Sequence, residues 1–67
     1  MAVSETIQAI ASLLNLCGAT REDAFVICAT AKDAGKEEEL LDWMLEQEIP
    51  PKVNRILEEA VRLADLD

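Results

Sequence analysis

The amino-acid sequence predicts an all-α fold, a compact domain of four helices. Hydrophobic residues make up 51% of the chain, and Ala and Leu, both strong helix formers, supply more than half of them. Apolar residues recur at spacings of three and four, and capping residues, glycines and prolines divide the chain into four segments. A chain of 67 residues forms one domain, 1–67. The helices are expected at about 4–17, 21–34, 37–48 and 51–65, and their short loops make neighbours antiparallel or angled.

The first helix is bounded by Ser4, which can cap its N-terminus, and by Gly18, which suits the left-handed position that ends helices. Its apolar residues recur at helical spacing and predict one buried face. The predicted stripe is Val3, Ile7, Ile10, Leu14 and Cys17, widened by Ala9, Leu13 and Leu16.

The second helix begins after Thr20, which with Asp23 resembles a capping box, and it stops at Gly35. Residues 24–31 of this helix are apolar on almost every side. A surface helix keeps one polar face, so this segment must be buried over more of its circumference than a surface helix is. A strand is the alternative for so short an apolar run, but the flanking caps and the alanines favour a helix. The predicted core stripe consists mostly of small residues: Ala24, Ile27, Cys28, Ala31 and Ala34.

Three glutamates open the third helix, where the helix dipole favours negative charge. Its predicted buried stripe is Leu40, Leu41, Met44 and Leu45, with Trp43 at the border. Pro51 suits the first turn of the fourth helix, where its missing N–H costs nothing. That helix is expected to bury Val53, Ile56, Leu57, Ala60, Leu63 and Ala64 and to form Arg55–Glu59 and Glu58–Arg62 pairs on its polar face.

The net charge of -8 argues against direct nucleic-acid binding, which depends on Lys and Arg neutralising phosphates. The spacing from Ala31 to Met44 is that of a helix-turn-helix core, but the recognition helix would be acidic. The same charge disfavours anionic membrane surfaces, and the apolar runs are too short to span a bilayer. We expect no membrane association and a cytoplasmic location, because the N-terminus lacks the basic start of a signal peptide.

The residue types argue against an enzyme, a metal site, a cofactor or a small-molecule substrate. The chain has no His and no Tyr, and its carboxylates are expected on solvated faces, where their pKa values do not diverge. Cys17 and Cys28 are separated by ten residues without a His, which does not match a zinc site. In a helical hairpin they lie roughly 10 Å apart along the axis, so we expect free thiols.

The sequence therefore favours a non-enzymatic protein–protein interaction module whose second helix packs against a copy of itself, forming a homodimer, or against another helical protein. The expected surface comprises Phe25, Val26, Ala29 and Trp43. One alternative is an acidic regulator or nucleic-acid mimic that binds a basic protein through Glu37, Glu38, Glu39, Asp42 and Glu46. Another is an accessory protein of a bacterial operon or mobile element.

Overall fold

The computed structural model describes residues 4–66 and confirms the all-α fold within them. Its four helices are α1 (Glu5–Leu16), α2 (Arg21–Ala34), α3 (Glu37–Glu46) and α4 (Val53–Asp65). The apolar segment 24–31 lies inside α2, so the strand alternative is excluded. Val3 of the predicted α1 stripe lies outside the described residues.

The predicted caps fix both ends of the first two helices. Ser4 Oγ accepts a hydrogen bond from the Ile7 N–H, and Thr20 Oγ1 accepts one from the Asp23 N–H, each at 3.1 Å. Gly18 and Gly35 have φ of 86° and 69°, the left-handed conformation that ends a helix at little steric cost for glycine. Local chemistry therefore sets these four boundaries.

α3 ends at Glu46 and α4 starts at Val53, each two residues inside the approximate bounds of 48 and 51 that the sequence predicts. Gln47 turns extended, with ψ 128°, and its side-chain Nε2 donates to the Trp43 carbonyl at 2.8 Å. That carbonyl is the one that Gln47 N–H would use if the helix continued. Two consecutive prolines favour extended backbone, and Lys52 follows with ψ 151°, so Pro51 lies before the helix rather than in its first turn.

The core is apolar and receives residues from every helix. α2 packs more extensively on α4 than on α1 or α3, and its small side chains allow this close approach. The buried apolar residues are Ile10, Leu14, Ile27, Ala31, Leu40, Met44, Ile56, Ala60 and Leu63. All nine belong to the stripes that the sequence predicts.

Three residues depart from the predicted faces. Leu16 and Leu45 were expected in core stripes but are 81% and 64% exposed. Successive residues are rotated by about 100° around a helix. Leu16 therefore points more than 100° away from the midpoint between Ile10 and Leu14, and Leu45 points more than 100° away from the midpoint between Leu40 and Met44. Glu59 was expected on the polar face of α4, yet it is only 3% exposed. Its position between Ile56 and Leu63 places it on the buried side.

The ion pairs of α4 form at a spacing of three rather than the predicted four. Arg55 Nη1 lies 3.4 Å from Glu58 Oε2, and both side chains are largely exposed. Arg62 Nε donates to Glu59 Oε1 at 3.0 Å, and Arg62 Nη2 donates to the second carboxylate oxygen. Glu59 thus satisfies both of its oxygens with one guanidinium, which is how a carboxylate is accommodated on a buried face.

Candidate interaction surface

The outer face of α2 carries exposed apolar side chains in the middle of a capped helix. Phe25 is 74% exposed and Val26 is 47% exposed, while Ala29 is half-buried. We refer to Phe25, Val26 and Ala29 as the α2 surface. Ile27 and Ala31 are buried on the opposite side, so α2 shows an apolar residue on both its inner and its outer face. A large exposed aromatic side chain is a typical feature of interaction surfaces.

Two shallow grooves adjoin Phe25 and supply charged neighbours. One is lined by Arg21 and Glu22 together with Phe25 and Val26. The other lies towards α1 and is lined by Ile7, Cys28 and Ala29, with Lys32 and Asp33 as its charged residues. The α2 surface therefore has one cation and one anion at each end.

Trp43 has a different environment from Phe25. It is half-buried and packs against the core from α3. The guanidinium carbon of Arg55 lies 5.6 Å from the centroid of its ring, which is a cation–π distance. Trp43 lines neither groove beside Phe25. The α2 surface therefore does not include Trp43, although the sequence suggests it as part of the interaction surface.

The predicted acidic face lies on α3 and is largely open to solvent. Glu38, Glu39, Asp42 and Glu46 are exposed, and Glu37 is half-buried. Within residues 4–66, no ion pair involves any of these five carboxylates. Three of them occupy the first turn, where the helix dipole stabilises them without a cationic partner.

Two side chains outside these surfaces have displaced pKa values. The hydrogen bonds from Arg62 lower the pKa of Glu59, while burial acts in the opposite direction and the charges of Arg62 and Arg55 lower it further. Burial raises the pKa of the Cys28 thiol. Cys28 and Cys17 are both free and half-buried, as expected for the thiols. In the described part of the chain, His, Cys, Asp and Glu side chains nowhere gather in a group of three able to hold a metal ion.

A second apolar surface was missed by the sequence analysis. The C-terminal ends of α1 and α3 and the segment before α4 enclose a groove of about 260 Å³. Leu16 and Leu45 line it, and Ile49, which is 79% exposed, adjoins it in sequence. A strict helical wheel would have revealed Leu16 and Leu45 outside the core stripes. Ile49 lies in the connection, where periodicity gives no signal.

Comparisons of the chain with protein-family models, with curated proteins and with solved structures find no match. In residues 4–66, no helix combines the length and the apolar content that crossing a membrane would require.

Proposed function

We propose that this protein is a non-enzymatic protein–protein interaction module that self-associates through the α2 surface. The observation that carries the proposal is the exposure of Phe25, 74%, in the second turn of a helix held at both ends by caps. Exposing a phenylalanine on a rigid helix leaves its apolar area in water, whereas a second copy would remove it.

The geometry favours an antiparallel pair of α2 helices. When two copies cross at the level of Ile27, Phe25 of each copy lies opposite Ala29 of the other. This arrangement places a large side chain against a small one, which lets the two helices approach closely. The interface is isologous, because the same contact occurs twice about a two-fold axis.

The charges at the ends of the α2 surface select the same orientation. In the antiparallel register, Glu22 of one copy lies at the same level of the interface as Lys32 of the other copy. A parallel pair would instead bring each of these residues against its own kind. Exposed pairs contribute only about 0.2–1 kcal/mol each, so they favour an orientation more than they add affinity.

The expected dimer is weak. Covering the exposed parts of Phe25 and Val26 on both copies removes on the order of 400 Å² of apolar surface, worth about 10 kcal/mol before other costs. Association itself costs about 4–15 kcal/mol, so a dimer forms only near the low end of that cost: a cost of about 4 kcal/mol leaves a Kd of roughly 40 µM, and a cost of about 6 kcal/mol leaves roughly 1 mM.

Sedimentation equilibrium across that concentration range tests the proposal. The parent chain should shift from monomer to dimer, and Phe25→Asp should remain a folded monomer. Val61→Asp is the matched control, because Val61 is exposed like Val26 but lies on α4. A parent chain that stays monomeric at the highest concentration would refute self-association, and so would a Phe25→Asp variant that still dimerises.

The orientation has its own test, a charge exchange at one end of the α2 surface. Glu22→Lys should weaken the dimer, and Glu22→Lys combined with Lys32→Glu should restore it, since the two charges lie at the same level of the interface only in the antiparallel register. If the single and the double variant weaken the dimer equally, then the helices do not pair in this register.

The exposed carboxylates of α3 support a second candidate, an acidic regulator that binds a basic partner. Glu38, Glu39, Asp42 and Glu46 are exposed and take part in no ion pair among the described residues. Salt distinguishes the two functions: raising ionic strength screens binding between charges but leaves an apolar dimer largely intact. A dimer that dissociates as salt is raised would count against the α2 surface.

A further inference from the structure

We infer that the groove at the C-terminal ends of α1 and α3 is a second docking site, which accepts a basic amphipathic helix from another protein. We refer to it as the C-terminal groove. Its lining is mainly apolar and includes Leu13, Leu16, Met44, Leu45 and Pro50. No residue of the C-terminal groove lines either groove beside Phe25, so the two surfaces can be occupied independently.

The volume of the C-terminal groove indicates side chains rather than a small molecule. Pockets for drug-sized ligands usually measure about 300–1,000 Å³, whereas this groove measures about 260 Å³. A benzene-sized group occupies a cavity of roughly 150 Å³ in a well-studied case. The C-terminal groove therefore holds about two leucine-sized side chains, with the rest of the partner lying outside it.

The lining also discriminates among the recurring modes of peptide recognition. Residues 4–66 contain no strand, so the groove offers no sheet edge for an extended peptide. No aromatic residue lines it, which argues against a polyproline ligand. Arg is missing from the lining as well, which argues against a phosphorylated or acidic peptide. The remaining mode is the docking of a helix in a groove, in which an amphipathic helix presents two apolar residues one turn apart.

The charge around the C-terminal groove favours a cationic helix. Glu48 lines it, and Glu46 is exposed in the last turn of α3. Two helix C-termini meet here, and neither α1 nor α3 has a basic residue in its last turn to offset the negative end of the dipole. Lys52, exposed before α4, is the single cation in the segment 44–52. A second copy of this acidic chain would bring Glu46 and Glu48 towards like charges, whereas Lys and Arg on a partner helix would complement them.

A model peptide of Leu and Lys tests the inference directly. The probe has Leu at positions i, i+3, i+4 and i+7 and Lys elsewhere, and the control peptide replaces every Leu with Ser at the same charge. In a nuclear magnetic resonance titration, the Leu–Lys peptide should shift the amide signals of 13–17 and 44–49, and the control peptide should bind far more weakly. Equal binding of both peptides would overturn the inference, because charge alone would then explain it.

Matched variants separate the apolar contribution from the charge. Leu16→Ser with Leu45→Ser should weaken binding of the peptide about tenfold, while Val61→Ser with Leu66→Ser, at exposed apolar sites on and after α4, should leave it unchanged. Glu46→Gln with Glu48→Gln should weaken it about threefold at low salt, more than Glu38→Gln with Glu39→Gln at the other end of α3. The inference is refuted if Leu16→Ser with Leu45→Ser weakens binding no more than Val61→Ser with Leu66→Ser does. It is also refuted if Glu46→Gln with Glu48→Gln weakens binding no more than Glu38→Gln with Glu39→Gln does.

The α2 surface provides the remaining control. Phe25→Asp should bind the peptide as the parent chain does, so failure of self-association would leave this inference standing. If Leu16→Ser with Leu45→Ser instead abolishes dimerisation of the protein without peptide, the occupant is a second copy and the inference is wrong.

Discussion

Replacing Glu59 with Gln tests how a buried carboxylate is tolerated on the core side of α4. The side chain is 3% exposed, and both of its oxygens accept hydrogen bonds from Arg62. Gln keeps the size and one acceptor oxygen but loses the charge, so the substitution removes charge-assisted bonding without opening a cavity. Such hydrogen bonds contribute about 1.5–3 kcal/mol. Because the Arg62 side chain is 58% exposed and regains water, we expect the low end, a loss of about 1.5 kcal/mol for Glu59→Gln at neutral pH.

Glu58→Gln is the matched control on the same helix. Its partner Arg55 lies at 3.4 Å, and both side chains are mostly exposed. Removing this pair should change the free energy of unfolding by less than about 0.5 kcal/mol. Urea unfolding followed by circular dichroism measures both variants against the parent chain.

The effect of Glu59→Gln should depend on pH with a defined sign. Arg62 lowers the pKa of folded Glu59 below the ordinary value of 4.5, so below that value the unfolded chain takes up the proton more readily. The stabilisation is complete above about pH 5.5 and is lost as the pH falls through the folded pKa. The difference in the free energy of unfolding between the parent chain and Glu59→Gln should therefore become smaller as the pH is lowered. A difference that is unchanged down to about pH 3, or a Glu58→Gln variant that loses as much as Glu59→Gln, would refute this account.

Three further predictions concern the helix boundary, the core and a thiol. Gly35→Ala should lower the free energy of unfolding by about 1 kcal/mol in thermal or urea unfolding, because φ is 69° while a Cβ would meet no atom within 4 Å. Leu40→Ala should cost about 2–5 kcal/mol and Leu45→Ala less than about 1 kcal/mol, since Leu40 is fully buried and Leu45 is exposed; equal losses would contradict the orientation of α3. In a Cys17→Ser background, Cys28 should react with iodoacetamide at least about tenfold faster after unfolding, because burial raises the pKa of its thiol in the folded chain. Mass spectrometry measures the two rates, and equal rates would show that the thiol is accessible in the folded chain.

Helix boundaries were predictable wherever a single residue carries the signal. Ser4 and Thr20 cap α1 and α2 through hydroxyl groups three residues from their donors, and this geometry can be read from the sequence alone. The end of α3 could not be read in this way. It depends on Gln47, whose side chain bonds to the Trp43 carbonyl in place of its own backbone N–H, and helix propensity does not reveal such a choice.

The residues at the centre of each buried helix face were also predictable, but the residues at the edges of those faces were not. Apolar spacing identified Ile10 and Leu14 on α1 and Leu40 and Met44 on α3, because these residues lie near the middle of each buried face. How far a buried face extends around a helix depends on where its neighbours lie. The burial of Glu59 depends on how the other helices pack around α4, which a sequence without long-range contacts does not specify.

The two proposed surfaces require different partners because their charges differ. The α2 surface has one cation and one anion at each end, so two copies can meet without net repulsion from these residues. The C-terminal groove is lined by Glu48 and lies at two uncompensated helix C-termini, with Glu46 exposed in the last turn of α3, so it repels a second copy and attracts cations. Since the surfaces share no lining residue, a dimer through α2 would present two such grooves on a chain pair of twice the net charge. Basic helices should therefore associate faster with the dimer than with the Phe25→Asp monomer at low salt, and the difference should vanish as salt is raised.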